Sequence, residues 1–139
     1  IIDVPGTKLK VRINPIDLYS ILSNFYINSI ESLRQTSKNT KRWIKVGFEW
    51  KPAGMQIRFK DSGIGIAKTE HKEVFMAFVS TAATDSGAYH GQGLGLAIVK
   101  HIVDHYKGEV YANPRFGKGD GAEMIVEFPK EEVGKVAAY

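Results

Sequence analysis

The sequence predicts a two-layer α/β sandwich in which a mixed sheet packs against about three helices. Three observations point there. The 139 residues suit one domain. Their pattern reads strand, helix, hairpin, helix, loop, helix, hairpin. That order lacks the strict strand–helix alternation of a wholly parallel sheet. With 43% hydrophobic and 24% charged residues, the chain is neither disordered nor fibrous. A domain of this size hides roughly 70% of its unfolded surface, enough for a core without disulfides or metal.

Taken in order, residues 8–13 (Lys-Leu-Lys-Val-Arg-Ile) alternate polar and apolar and predict a half-buried strand. Asn14 is suited to cap a helix, Pro15 to open it, and Asp17 to sit at its positive end. The helix is expected to run to about Arg34, with Leu18, Ile21, Leu22, Phe25 and Leu33 as its core face. Strands at 42–50 and 55–60 join through Lys51-Pro52-Ala53-Gly54 as a hairpin. The glycine-rich turn Asp61-Ser62-Gly63-Ile64-Gly65-Ile66 follows, then a short helix from about Thr69 that carries Val74, Phe75 and Phe78. Residues 79–91 are small, polar and without period, a mobile loop. A helix over Leu94–Tyr106 ends at a glycine cap, Gly108. Strands at 109–113 and 122–128 make the last hairpin. The domain is expected to span 8–129, with 1–7 a linker and 130–139 a tail.

Composition removes several classes. Without cysteine there are no disulfides, thiolate zinc sites or cysteine nucleophiles. No apolar run approaches the roughly 20 residues that span a bilayer, and no signal-peptide pattern opens the chain. The first residue is Ile1, so a piece of a longer protein is expected. The net charge of +4 is too small and scattered to argue for nucleic acid, although it suits a small phosphate ligand.

The chemistry concentrates in three places. Asp17, Ser20, Asn24, Asn28, Glu31 and Gln35 form one stripe of the first helix. An ordinary solvated face has the same pattern. Two asparagines one turn apart are poor helix formers, however, each costing roughly 0.5 kcal/mol against alanine. Their amide oxygens are hard, neutral ligands suited to Mg²⁺. Asp61 begins a turn whose glycines allow close backbone approach, though a plain capped connection reads the same. Gly91-Gln92-Gly93-Leu94-Gly95-Leu96 enters a helix N-terminus, where free amides favour anions. A polar loop rather than a strand precedes it, which argues against a dinucleotide fold, and no Walker-type phosphate loop occurs.

Four blocks occur in order: Asn24-Phe-Tyr-Ile-Asn28-Ser-Ile-Glu-Ser, Asp61-Ser-Gly-Ile-Gly-Ile, Val74-Phe-Met-Ala-Phe78, and Gly91-Gln-Gly-Leu-Gly-Leu-Ala-Ile-Val-Lys100. Together they resemble the asparagine, first glycine, phenylalanine and second glycine boxes of sensor histidine kinase ATP-binding domains. That superfamily (the GHKL group) includes gyrase, heat-shock chaperone and mismatch-repair ATPases. The last hairpin, from Gly119 to Pro129, is similar to the family's closing pattern. The resemblance covers roughly residues 8–129.

The resemblance implies a Bergerat-type fold with a flexible ATP lid, ATP and Mg²⁺ as cofactors, and protein-histidine kinase activity. It makes Asn28 the Mg²⁺ ligand and places Asn24 in the same pocket. Asp61 accepts from the adenine amino group, with Gly63, Gly65 and Ile66 beside the base. Gly91, Gln92, Gly93, Leu94, Gly95 and Leu96 fold the lid onto the phosphates, and Phe75 and Phe78 anchor it. Hydrolysing relatives carry a water-activating glutamate where this chain has Asn24, which cannot serve as a base. That favours transfer to an external acceptor, with Glu31 a polar pocket residue. The acceptor histidine is expected on a separate dimerisation domain, since His71, His90, His101 and His105 lie within or after the nucleotide motifs. A response regulator follows as partner, with no nucleic acid. The chain is expected to be monomeric, its parent homodimeric, and its location cytoplasmic.

Three positions depart from the pattern. Glu31 stands where many kinases have Lys or Arg. The lid over 79–91 contains neither, leaving Lys72, Ser80, Thr81 or His90 to compensate. Ala122 replaces a threonine common near the adenine. The competing readings are a GHKL-type ATPase, a pseudokinase interaction module and a serine kinase of the anti-sigma type. His101 and His105 have metal-ligand spacing, but a solvated helix end explains them without a third ligand.

Overall fold

The computed structural model describes residues 2–3, 10–76 and 95–130. Strand β1 (Ile2–Asp3), inside the segment read as a linker, pairs antiparallel with β2 (Lys10–Val11). Of the strand expected over 8–13, Lys10 and Val11 form β2, and Arg12 and Ile13 lead on from it to helix α1 (Pro15–Arg34). Asn14 caps α1, its Oδ1 accepting from the Ile16 N–H at 2.9 Å, and Pro15 occupies the first turn. The local signals were sufficient here because a helix start is decided by orphan amides and proline's fixed φ.

Strands β3 (Ile44–Lys51) and β4 (Gly54–Asp61) form the expected hairpin, with Lys51 opposite Gly54. Helix α2 (Gly95–His105) then leads to β5 (Glu109–Ala112) and β6 (Ala122–Pro129). The sheet order is β3-β4-β6-β5, and every neighbouring pair is antiparallel. This corrects the expected mixed sheet. β4 and β5 do run parallel, joined by a crossover through α2, but β6 inserts between them and opposes both. The described residues also hold two α-helices rather than about three. The helix expected near Thr69 is instead two short 3-10 turns, Lys68–Glu70 and Glu73–Phe75. Neither has a side-chain cap, and only Val74 among these six residues is buried, so no apolar face supports a longer helix.

The core lies between the helices and one face of the sheet. Ile21 and Phe25 of α1, and Val99 and Val103 of α2, pack on Met55, Ile57, Phe59, Val110, Val126 and Phe128. Leu18 and Leu22 flank them partly buried, as the helical period requires. The outer sheet face is closed by polar pairs: Gln56 Nε2 donates to Glu127 at 2.8 Å, and Arg58 NH1 to Glu123 at 2.9 Å. No helix among the described residues is long and apolar enough to cross a membrane.

The end of α2 differs from expectation in an instructive way. The left-handed residue is Lys107 (φ 58°), not Gly108. Lys107 N–H donates to the Asp104 carbonyl and Gly108 N–H to that of Val103, the paired bonds of a Schellman stop. Gly108 is required by packing instead, since a Cβ there would lie 2.4 Å from the Glu127 carbonyl oxygen.

Candidate functional site

One side of α1 carries two sets of polar groups. Asn24 and Asn28 face the start of α2. The Asn24 amide donates through Nδ2 to the Ser20 carbonyl at 2.7 Å, which leaves its Oδ1 toward the neighbouring helix. A Cβ on Gly95 would stand 2.9 Å from that oxygen and 3.8 Å from Asn28 Nδ2. The first turn of α2, where a helix carries positive potential, is therefore held against both asparagines. Asn28 is partly buried, and its amide makes no hydrogen bond with the described residues. A half-sheltered neutral oxygen donor without a partner among the described residues fits a hard cation such as Mg²⁺.

The second set grips the loop after β4. Ser29 Oγ donates to Asp61 Oδ2 at 2.8 Å, and Ser32 Oγ accepts from the Ile64 N–H at 3.0 Å. Asp61, only 5% exposed, accepts on Oδ1 from the amides of Gly63 (2.9 Å) and Ala122 (3.3 Å). Gly63 is indispensable because a Cβ would fall 2.0 Å from Ser32 Oγ. Gly65 adopts φ 77°, and a Cβ there would meet the Gly117 carbonyl at 2.5 Å. The demand for glycine at both positions thus comes from protein packing around the loop. The 113–121 turn completes the frame: Gly119 N–H donates to the Ile64 carbonyl at 2.6 Å. Lys60 Nζ donates to the Asp120 carbonyl at 3.0 Å, 3.8 Å from the Phe116 ring centre. Burial lowers the Lys60 pKa below the usual lysine range, opposed by the Asp61, Glu123 and Asp120 carboxylates.

The remaining expected site residues divide. Ile66, Phe75 and Leu96 are partly buried and pack on the core behind the loop and helix. Ala122 acts through its backbone amide. Glu31 pairs with Arg34 at 3.2 Å on the helix surface. Phe78, Ser80, Thr81, Gly91, Gln92, Gly93 and Leu94 lie outside the described residues. Ser29 and Ser32 were not singled out from sequence. Their signal was available: Ser29 falls one turn from Phe25 and one turn from Leu33, on a stripe that is otherwise core.

A separate cavity of about 240 Å³ is lined by Gly54, Gln56, Gly108 and Phe128. It lies at the other end of β4, roughly 23 Å of strand from Asp61. Among the described residues, no group of three His, Asp or Glu side chains could hold a metal.

Comparison with known proteins gives a consistent result. Residues 13–132 match the family described as histidine kinase-, DNA gyrase B-, and HSP90-like ATPase. The autoinducer 2 sensor kinase/phosphatase LuxQ of Vibrio harveyi is 30% identical over 128 residues, which is 91% of this chain and 14% of that protein. Sensor histidine kinase ZraS of Escherichia coli (strain K12) is 32% identical over 110 residues, 79% of this chain and 21% of the relative. The chain therefore spans a small fraction of these relatives' lengths. Among solved structures, full-length ShkA in complex with AMPPNP superposes with a TM-score of 0.64 at 28% identity, over 88% of this chain and 22% of that one. The paired asparagines of α1, the Asp61 loop clasped to the same helix, and a match covering most of the chain lead to one conclusion: the chain belongs to the histidine kinase-, DNA gyrase B-, and HSP90-like ATPase family.

Proposed function

We propose that the chain is the catalytic ATP-binding domain of a two-component sensor histidine kinase. It binds Mg-ATP between α1, the Asp61 loop and the start of α2. The γ-phosphoryl group passes to a histidine on a separate dimerisation domain, and from there to a response regulator. The observation that carries the reading is the pair of neutral amides, Asn24 and Asn28, set against the N-terminus of α2.

Each group has a chemical task. Asn28 would hold Mg²⁺, and the ion, when bound, neutralises phosphate charge. Amides at the start of α2 would receive phosphate oxygens. Asp61 accepts from the adenine amino group. Transfer rather than hydrolysis is favoured because the position one turn before Asn28 holds an amide, Asn24, and not a carboxylate. Asn24 cannot abstract a proton from water, and Glu31 is engaged by Arg34 at 3.2 Å. Catalysis then rests on positioning and charge neutralisation. With ATP in the cytoplasm, this part of the parent protein works there.

The test uses the full-length parent with γ-labelled ATP. The wild type is expected to acquire acid-labile, base-stable phosphate, as phosphohistidine does. Asn28→Ala is expected to lose at least about tenfold of that rate. Unchanged autokinase activity in Asn28→Ala contradicts the assignment. Steady phosphate release abolished by Glu31→Gln would favour an ATPase instead.

A further inference from the structure

The Asp61 carboxylate is nearly filled by the protein itself. Oδ1 accepts from two amides, those of Gly63 and Ala122, at 2.9 and 3.3 Å. Oδ2 accepts from Ser29 Oγ at 2.8 Å. Each carboxylate oxygen offers about two lone-pair sites. Oδ1 is therefore occupied, and Oδ2 retains a single acceptor position. A ligand that donates to Asp61 must read Oδ2, the oxygen whose orientation Ser29 fixes.

We infer that Ser29 is a positioning residue that makes this carboxylate select an amino group over a carbonyl, and so sets the preference for adenine over 6-oxo purines. The inference rests on the nucleotide-binding reading above. Ser29 has one hydroxyl hydrogen, and it is committed to Oδ2. From the ligand's side, Ser29 and Asp61 together thus present acceptors only. The two amides that could have served a carbonyl are both engaged by Oδ1. An amino group finds a lone pair in place, whereas a carbonyl meets like charge and loses its water partners. Without the Ser29 hydroxyl, the carboxylate is free to turn about its terminal torsion. The bonds to Gly63 and Ala122 then loosen, and an amide can face a carbonyl. Ser29 is 3% exposed on a helix face flanked by Phe25 and Leu33, so the hydroxyl is not there for solvation.

The experiment measures ADP and IDP affinity by competition, with Mg²⁺ present, for the wild-type chain, Ser29→Ala and Ser29→Cys. IDP carries a carbonyl where ADP carries the amino group, and neither can donate a γ-phosphoryl. Ser29→Cys nearly preserves the side-chain shape while donating only weakly, which guards against a variant that fails to fold. Thermal melting is followed in parallel. The wild type is expected to prefer ADP, and both variants are expected to lose about tenfold of the ADP-over-IDP ratio. A merely structural role lowers the melting temperature or weakens both nucleotides equally. An unchanged ratio in either folded variant therefore overturns the inference. If the wild-type chain binds neither nucleotide, the nucleotide reading itself fails, and this inference falls with it.

Discussion

Asp61 holds its place through a set of bonds made across long stretches of sequence. Its partners Ser29 and Ala122 are 32 and 61 positions away. Asp61→Asn turns one acceptor into a donor facing either Ser29 or two amides. It is expected to weaken adenine nucleotide binding at least tenfold and to lower stability by about 1–3 kcal/mol, measured by titration and urea unfolding. On the outer sheet face, burial and the Glu127 carboxylate push the Tyr111 phenol above its usual range; its hydroxyl donates to Glu127 at 3.0 Å. The unfolded chain releases that proton first, so the stabilisation is complete below about pH 10 and lost as pH rises beyond it. Tyr111→Phe is expected to be less stable than wild type near neutrality and to show a shallower alkaline loss in denaturation series at pH 8 to 11. At this scale the sequence was legible where chemistry is local. Asn28 and Asp61 could be picked out from residue type and neighbours. Ser29 was marked only by its place on a core stripe, and the role of either serine becomes readable once its distant partner is known.

Among elements, α1 is the organising one: it supplies core, cap, asparagines and both serines. Its N-terminus is tied to the end of α2 by Tyr106, whose hydroxyl donates to Asp17 and accepts from the Asn14 N–H at 3.1 Å. Tyr106 also packs edge-on against Phe128, with ring centres 6.1 Å apart. Tyr106→Phe keeps that packing and removes the ties, so a loss of about 1.5–3 kcal/mol is expected in chemical denaturation. The left-handed Lys107 at the stop of α2 offers the opposite change. Lys107→Gly relieves the Cβ conflict and is expected to stabilise the domain by about 0.5–1 kcal/mol, read as a higher urea midpoint at constant slope. Both helices and the two hairpins were legible, since caps, period and turn residues are written locally. The 68–75 segment was not, because its apolar residues are too few to commit it to a helix.

The molecule as a whole is an open antiparallel sheet with helices on one face and a polar network on the other. The sequence order suggested a mixed sheet because a helical crossover joins β4 to β5. Only the tertiary pairing shows β6 running between them. That insertion matters for function: it brings Ala122 opposite Asp61, and so delivers the amide that helps hold the carboxylate. The helical layer depends on Phe25, 1% exposed and 5.6 Å from the Phe59 ring. Phe25→Ala is expected to cost about 3–5 kcal/mol and to release α1, with its asparagines and serines, from the sheet.

The central claim is that α1 and the Asp61 loop form a Mg²⁺-dependent adenine nucleotide site. The most direct test is calorimetric titration of the chain with a non-hydrolysable ATP analogue, with Mg²⁺ and with a chelator, beside the Asn28→Ala variant. The account predicts saturable binding by the wild type that tightens with Mg²⁺, and a variant in which Mg²⁺ no longer makes a difference. Absence of binding by the wild type under both conditions, or a Mg²⁺ effect that survives in Asn28→Ala, contradicts it.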